Sequence, residues 1–210
     1  MDSQSSSITS VDKKDVHVLG KTDYAEVVGV SLPAGKSLAP HQGGDRVIYS
    51  ITSYKLDFDG PGGESETIHA PGNVYFRPAG EHSVENVSET TAKFVIFERL
   101  PSGVLPEVDH SIADDTPVPS TGATEEKLFS NELFDVYRIS IQPGGHLAPH
   151  EGWTRAVYSL DEYDVIFHHG SETKHRTFHK GQVHFHQPGR HWLENDGNTT
   201  AEFLVVDYKK

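Results

Sequence analysis

The chain has 210 residues, a formal net charge of −13 and no cysteine. This length suffices for one large domain or two small ones with buried cores, and 35% hydrophobic residues is a globular composition. The acidic balance argues against nucleic acid as a partner, and the lack of cysteine excludes disulfides, thiol nucleophiles and thiolate metal sites.

The N-terminal segment MDSQSSSITS (residues 1–10) is predicted to be a flexible tail. It lacks the basic start and the apolar core of a signal peptide. No apolar run in the chain approaches the ~20 residues that are needed to cross a membrane. We therefore expect a cytoplasmic protein with no membrane partner.

Short alternating runs with Gly/Pro turns between them follow the tail. AEVVGVSL ends at residues 33–35, RVIYSITSYKLDF ends at residues 59–63, NVYFRP leads into residues 79–80, and TAKFVIFER comes next. No stretch of a dozen residues keeps a helical period. The sequence therefore predicts a nearly all-β fold, arranged as a sandwich or barrel that protects its sheet edges.

The second half of the chain repeats the first. LAPHQGGDRVIYSITSYKLDF (38–58) aligns with LAPHEGWTRAVYSLDEYDVIF (147–167) with ten identities in twenty-one positions, a shift of 147 − 38 = 109. Further segments align in the same order: 71–86 with 180–195, 92–98 with 201–207 and, after a one-residue indel, 24–35 with 134–145. Two copies are too few for a solenoid, so we interpret the chain as a duplicated domain.

The repeat sets the predicted domain boundaries. The first barrel is predicted over residues 11–108 and the second over residues 125–210. The segment between them, residues 109–124, is polar and contains proline, which is typical of a linker.

Each half carries two spaced motifs. In the first motif a His follows a Gly after five residues: Gly35 and His41, then Gly144 and His150. The second motif contains glycines, a His and an Asn: Gly72, Gly80, His82 and Asn86, then Gly181, Gly189, His191 and Asn195. These motifs resemble those of the cupin superfamily in its two-barrel (bicupin) form. The resemblance implies two tandem cupin barrels, also called double-stranded β-helices or jelly rolls, and small-molecule chemistry.

The first motif departs from that of metal-binding cupins, which have a second His two residues after the first, followed by a Glu. Here Gly43 and Gly152 occupy the second position. Apolar residues stand where the Glu is expected: Val47 and Ile48, and Ala156 and Val157. The ligand positions that remain are His41 with His82, and His150 with His191. Two protein ligands hold a divalent ion poorly.

Nine of the fourteen histidines lie in residues 146–191. His184 and His186 share one face of a predicted strand, at the spacing of a chelating pair. If that face points inward, a metal site can form in the second half and hold one divalent ion (Fe, Mn, Ni or Zn). Its ligands would be His150, His184, His186 and His191.

The same strand of the first half carries Tyr75 and Arg77, and the charge of this arginine disfavours a cation. The sequence therefore predicts that metal binds in the C-terminal barrel only. An alternative is equally compatible with the pattern, since Val183 and Phe185 could fill the core while the histidines between them face solvent.

Arg46 and Arg155 each lie five residues after the first-motif His. Strict alternation would put each Arg on the opposite face of the strand from its His. The nearby Gly43 and Gly152 could support a bulge that reverses this alternation and turns the Arg to the same face as the His. An inward Arg beside an inward His would bind a carboxylate with two hydrogen bonds. The alternative is an Arg that ties strands or barrels together.

The remaining candidates complete the predicted sites. Substrate-binding residues are predicted to be His41, Arg46, Tyr75, Arg77, His82, Arg155, Trp153 and Trp192. Catalytic residues are predicted to be His191, Tyr158 and Glu194. Both tryptophans stand beside candidate site residues, where they could wall a pocket for a flat or apolar ligand.

Three functions are compatible with these residues. The first is a cupin-type small-molecule enzyme with its active barrel C-terminal, such as a metal-dependent dioxygenase, isomerase or decarboxylase. The second is a metal-free epimerase or cyclase that uses His and Tyr for acid/base chemistry. The third is a non-catalytic ligand-binding or sensor protein. The expected partner is a small molecule, with a carboxylate-bearing one favoured; a homodimer is left open, and no nucleotide cofactor is expected.

Overall fold

The computed structural model describes residues 15–61, 63, 65–101, 103–107 and 119–209. The predicted tail (1–10) and most of the predicted linker lie outside these residues. Every regular element within the described residues is a β-strand, which confirms the predicted all-β fold. None of these residues belongs to a helix that is long and apolar enough to span a bilayer.

The chain divides into two compact units, Met1–Val104 (unit 1) and Leu105–Lys210 (unit 2). The strands of unit 1 are β1 (Val16–Lys21), β2 (Ala25–Leu32), β3 (Ser37–Gly43), β4 (Arg46–Ser50), β5 (Tyr54–Asp59), β6 (Ser65–His69), β7 (Val74–Arg77), β8 (Gly80–Asn86) and β9 (Ala92–Arg99). They form a five-stranded sheet in the order β1-β2-β9-β4-β7 and a four-stranded sheet in the order β3-β8-β5-β6.

The strands of unit 2 are β10 (Thr121–Ser130), β11 (Phe134–Gly152), β12 (Arg155–Ser159), β13 (Tyr163–His169), β14 (Glu172–Phe178), β15 (Val183–His186), β16 (Gly189–Glu194) and β17 (Ala201–Tyr208). They form one sheet in the order β14-β13-β16-β11-β17-β12-β15, and β10 pairs with β11. Because β10 begins at Thr121, residues 121–124 belong to a strand and not to the predicted linker.

Alternation of apolar residues along the strands builds the core of each unit. In unit 1, Val28 and Val30 of β2 pair with Ile96 and Phe94 of β9, and all four side chains are buried in one cluster. In unit 2 the corresponding cluster contains Ile139, Phe203 and Val205. Since each fully buried aliphatic or aromatic side chain contributes about 1.5–3 kcal/mol, these clusters account for much of each unit's stability.

The repeat is more regular in the structure than in the sequence alignment. Val28 pairs with Ile96, and Tyr137 pairs with Val205, so the shift of 109 already holds within β2 and the first part of β11. The one-residue indel that the sequence predicted there is therefore wrong. The prolines of the turn caused this error in the alignment. They occupy positions 33 and 143, which are 110 residues apart and not 109, although the two turns are equivalent.

Glycines with positive φ keep the same shift and fix the turns of both units. Gly35 has a φ of 67° and Gly144 a φ of 72°, while Gly72 has 84° and Gly181 has 82°. Residues with a Cβ rarely adopt this left-handed conformation, so the motif glycines are required by the backbone.

The motif asparagines also have a structural role. The side-chain amide of Asn86 donates to the carbonyls of Leu32 and Thr90, at 2.8 Å each. Asn195 does the same in unit 2 with Ile141 (2.7 Å) and Thr199 (2.8 Å). These amides are fully buried and connect a strand end to a turn. The asparagine that ends the second motif therefore stabilises the fold and is not part of the site.

Candidate functional site

Each unit brings its two motif histidines face to face on neighbouring strands. His150 of β11 pairs with His191 of β16, and their ring centroids lie 4.5 Å apart; the centroids of His41 and His82 lie 4.2 Å apart. A register shift between Leu147 and His150 turns the histidine inward at this point. The register of unit 1 shifts at the equivalent place.

The backbone fixes the orientation of these rings. Nδ1 of His150 lies 2.9 Å from the carbonyl of Ala148, and Nδ1 of His191 lies 3.3 Å from the carbonyl of Gly189. A carbonyl can only accept, so Nδ1 carries the proton and Nε2 of the neutral ring is left with its lone pair. In unit 2, where both histidines line a cavity, this lone pair is available to a ligand.

An arginine fills the space above the glycine that replaces the second histidine. A Cβ added at Gly152 would overlap the guanidinium of Arg155 and would lie 2.8 Å from Cε1 of His191. At Gly43 it would lie 2.7 Å from Nη1 of Arg46 and 2.8 Å from Cε1 of His82. The structure therefore places both arginines inward, and each glycine provides the room for a guanidinium beside the histidine pair.

Each inward arginine is paired across the sheet with a carboxylate on the last strand of its unit. Arg155 pairs with Asp207, and Nε lies 3.3 Å from Oδ1; Arg46 pairs with Glu98. Oδ1 of Asp207 accepts no aligned hydrogen bond from the described residues. Burial raises the pKa of Asp207 to about 6, although the charge of Arg155 opposes the shift.

His184 and His186 also point into unit 2. The ring of His184 stacks on Phe178 with centroids 4.3 Å apart, and His186 lies 5.2 Å from the ring of Phe167. Burial lowers the pKa of His184 to about 4 and that of His186 to about 3. The alternative in which these histidines face solvent is therefore wrong.

These inward side chains surround a cavity of about 720 Å³ in unit 2. Its polar lining consists of Glu125, Tyr137, His150, Arg155, Lys174, Arg176, Thr177, Gln182, His184, His186, His191 and Asp207. Its apolar lining includes Leu147, Val157, Val165, Phe167, Phe178, Leu193, Phe203 and Val205. A cavity of this size with aromatic walls and a few converging polar groups is typical of a small-molecule site.

The equivalent space in unit 1 is only about 20 Å³, which is of the order of a single water. The inward residues explain this difference: unit 1 has Ile48, Leu56, Tyr75, Arg77 and Ile96 where unit 2 has Val157, Val165, His184, His186 and Val205. Each of these replacements makes the side chain smaller in unit 2. Other lining positions change in the opposite direction, for example from Val84 to Leu193 and from Val28 to Tyr137, so the smaller residues on β12, β13, β15 and β17 open the space.

The filled interior of unit 1 leaves no room for a ligand beside the residues predicted to bind substrate there. The guanidinium of Arg77 lies 4.0 Å above the ring of Phe58, and Tyr75 stacks on His69 with centroids 4.0 Å apart. Side chains of unit 1 thus take the room that a ligand would need. The residues concerned are His41, Arg46, Tyr75, Arg77 and His82.

The histidines of unit 2 do not form a coordination shell in this arrangement. The rings of His186 and His191 are nearly parallel, at 15°, with centroids 5.8 Å apart, so their nitrogens do not converge on one point. Among the described residues, no group of three or more His, Cys, Asp or Glu could hold a metal ion. The guanidinium of Arg155 beside His150 and His191 adds a fixed positive charge that opposes a cation. The predicted set of His150, His184, His186 and His191 thus shares a cavity but does not fit a metal.

Three further predicted site residues do not line the cavity, while Trp153 does. Tyr158 alternates with Arg155 and Val157 along β12, so its side chain belongs to the other face. On β16, Trp192 and Glu194 alternate with the inward His191 and Leu193. Trp192 stacks on His168 with centroids 3.5 Å apart, and Glu194 is 3.8 Å from that histidine. The structure therefore does not bring Tyr158, Glu194 and Trp192 into the cavity with the other predicted site residues.

Sequence reasoning missed Asp207 as a site residue. The signal was present, because the closing strands AKFVIFE and AEFLVVD both end an apolar run in a carboxylate at the same repeat position. Glu125 was missed because it lies just after the predicted linker, and Lys174 and Arg176 because β14 is an exposed edge strand.

Solved structures similar to this chain include oxalate decarboxylases. One, from Bacillus subtilis, was determined in work on its Mn(II) centres; it has 12% identity and a TM-score of 0.66 over 92% of this chain and 72% of that chain. Another, from Lactobacillus farciminis in complex with formate, has 14% identity and a TM-score of 0.65 over 90% of this chain and 78% of that chain. These similarities show that the chain has a cupin fold.

No protein-family model matches the chain, and no curated protein matches it significantly.

Proposed function

We propose that the chain is a small-molecule enzyme whose reaction takes place in the cavity of unit 2, by acid/base chemistry of its own side chains. The observation that carries this proposal is the cavity of about 720 Å³ where two oriented imidazoles, a guanidinium and a carboxyl group meet. Each unit is proposed to be one cupin barrel, with unit 1 as a filled, structural copy. Fold alone does not decide this activity, because one fold serves many reactions.

The proposed reaction is proton transfer at a carbon next to a carbonyl group. Nε2 of His150 takes the proton, the C–H bond breaks, and its electron pair moves to the carbonyl oxygen, where the guanidinium of Arg155 stabilises the negative charge. Return of the proton to either carbon face, or to another position, completes an epimerisation or isomerisation.

The electrostatics of the cavity suit this role once a ligand is bound. Burial lowers the pKa of both motif histidines, that of His191 to about 2, and the charge of Arg155 adds to both shifts. A bound anion offsets the charge of Arg155 and thereby raises the pKa of the imidazoles. Asp207, with a pKa of about 6, is poised to exchange a proton near neutral pH.

Solvent hydrogen exchange tests the proposal. The full chain is incubated in D₂O with pyruvate, phenylpyruvate and (R)-mandelate, and deuterium uptake at carbon is followed by NMR against a buffer blank. We expect uptake above the blank for at least one compound, resistant to EDTA and reduced at least tenfold in His150→Gln. His41→Gln is the matched control in unit 1 and should keep the rate. Saturable binding without exchange of any compound would instead favour the binding or sensor function.

A metal-dependent decarboxylase is the second candidate. The observations that favour it are the similarity to oxalate decarboxylases and the backbone bonds that leave Nε2 of His150 and His191 free for a ligand. It requires the guanidinium of Arg155 to leave its site above Gly152. Near-stoichiometric Mn, Fe, Ni or Zn in protein purified without added metal, together with chelator-sensitive turnover of oxalate, would favour it over acid/base chemistry.

A further inference from the structure

We infer that Arg155 is the fixed cation of the unit 2 cavity and that the cavity takes a monocarboxylate with an aromatic or bulky apolar body. This inference deepens the proposed function by naming its substrate class, and it rests on the same cavity. It begins from a difference between two arginines that occupy equivalent positions in the two units.

The two guanidiniums differ in what they bind. Nη1 of Arg46 donates to the carbonyls of Gly44 (2.8 Å) and Pro78 (3.3 Å), so this arginine is held by the backbone. Arg155 donates to the carbonyl of Trp153 through Nε alone, at 3.1 Å. Within the described part of the chain, no protein acceptor takes a hydrogen bond from Nη1 or Nη2 of Arg155.

The terminal nitrogens of Arg155 are therefore open to a ligand. Although Arg155 as a whole is only 6% exposed, its terminal nitrogens are not among the fully buried polar atoms that lack a partner, so they contact the space of the cavity. The ion pair with Asp207 involves Nε, so the edge of the guanidinium that is formed by Nη1 and Nη2 stays unused. Two parallel N–H groups on this edge match the two oxygens of a carboxylate. The chemistry that fits this fork is a single carboxylate group.

The walls of the cavity specify the rest of the ligand. Phe167, Phe178 and Phe203 line one cavity together with several valines and leucines, and about 720 Å³ is far more than a two-carbon acid needs. The lining has three basic side chains, Arg155, Lys174 and Arg176, against two acidic ones, Glu125 and Asp207, in a chain whose net charge is −13. The bound anion thus has an apolar body that buries against the aromatic rings.

Gly152 is the residue that keeps this arrangement possible. Any side chain at position 152 would occupy the volume of the guanidinium, so the inward position of Arg155 requires a glycine at position 152. Gly43 stands in the same relation to Arg46, which provides a matched control in a unit whose interior has room for no ligand.

Binding of acids and their neutral amides tests the inference. Dissociation constants of phenylacetate and benzoate are measured at pH 7 by calorimetry or ligand-observed NMR, and compared with those of phenylacetamide and benzamide. We expect wild-type protein to bind each acid at least tenfold more tightly than its amide, and oxalate more weakly than phenylacetate. Gly152→Ala and Arg155→Lys should reduce the preference for the acid at least fivefold, while Gly43→Ala and Arg46→Lys should keep it.

Thermal denaturation of each variant checks that it is folded, and the wild-type comparison of acid with amide stands without any variant. Equal affinity for acid and amide, or no saturable binding of either acid up to about 10 mM, would overturn the inference. Binding of the acid with no hydrogen exchange at carbon would leave the inference standing and contradict the proposed function, so the two failures can be told apart.

Discussion

Unit 1 and unit 2 have the same strand pairing, motif glycines, buried asparagines, histidine pair and inward arginine. Within the described residues, however, the interior of unit 2 has a cavity of ligand size, whereas the equivalent space in unit 1 is about 20 Å³. The difference comes from a few inward side chains. Tyr75 and Arg77 fill the interior of unit 1, while the shorter His184 and His186 leave the interior of unit 2 open. The comparison teaches that the repeated motifs specify the barrel, and that the non-repeated inward residues decide whether a barrel can bind a ligand.

The largest expected effect comes from giving unit 2 the interior of unit 1. His184→Tyr combined with His186→Arg should fill the cavity and reduce phenylacetate binding at least a hundredfold, because aromatic and guanidinium groups would occupy the ligand volume. The reverse pair in unit 1, Tyr75→His with Arg77→His, should create space there without creating a second carboxylate site, because Arg46 stays bound to the carbonyls of Gly44 and Pro78. Calorimetric titration of both double variants checks this; tight binding that survives the unit 2 change would contradict the assignment of the site.

A smaller but still large effect is expected at the two buried carboxylates. Asp207→Asn should lower the rate of hydrogen exchange at carbon about ten- to a hundredfold and remove the transition near pH 6 from the rate profile, since the group with a pKa of about 6 is gone. Glu98→Gln in unit 1 should leave the profile unchanged. A transition near pH 6 that persists in Asp207→Asn would show that another group titrates there.

Acid should destabilise the protein through its buried histidines. The pKa values of His184, His186 and His191 are about 4, 3 and 2 in the folded chain, below the ordinary value of 6.5. These groups therefore contribute stability above pH 6.5, and that contribution is lost as the pH falls. Asp207 has the opposite sign: its folded pKa of about 6 lies above 3.8, so its contribution is present below pH 3.8 and lost as the pH rises through 6.

Burial also lowers the pKa of His69 to about 4 and that of His82 to about 3. Because these five histidines outweigh one carboxyl group, the melting temperature should fall by several degrees between pH 7 and pH 5. His191→Gln should make that fall shallower, since it removes the largest of these shifts. Calorimetric scans across this pH range measure the effect in both proteins. A melting temperature that rises as the pH falls would show that the histidines are not buried in their neutral form.

The smallest effect concerns the stability of the two interiors. Tyr75→Ala in unit 1 removes a packed ring and should lower the free energy of unfolding by about 3 kcal/mol. His184→Ala only enlarges an existing cavity, so we expect a cost of about 1 kcal/mol. Urea denaturation of both variants tests this difference, and equal costs would mean that the interior of unit 2 is as tightly packed as that of unit 1.

Much of the fold could be predicted from the sequence. Period-two alternation, Gly/Pro turns and the duplicated motifs indicate strands and a cupin-like unit, because backbone requirements such as the left-handed glycines are local. The turn around Pro33 and Pro143 misled the alignment, since a proline marks a turn without fixing the residue at which the turn begins.

The site could be predicted only in part. The inward directions of His184 and Arg155 depend on strand register and on the bulge before His150, which no short pattern specifies. Metal binding was predicted from the cupin resemblance, the many histidines and the spacing of His184 and His186, and none of these reveals that a guanidinium fills the place above Gly152. Glu194 was predicted to move protons because it lies next to Asn195 within the second motif, although a shift of one residue along a strand changes the face on which a side chain lies.

The most direct test of the central claim is ¹⁵N NMR of the histidine rings during titration with phenylacetate. The account predicts that the ring signals of His150, His186 and His191 shift together and saturate, while those of His41 and His82 stay unchanged at every ligand concentration. Saturating shifts of His41 and His82, or unchanged signals of all three unit 2 histidines once the ligand is bound, would contradict it.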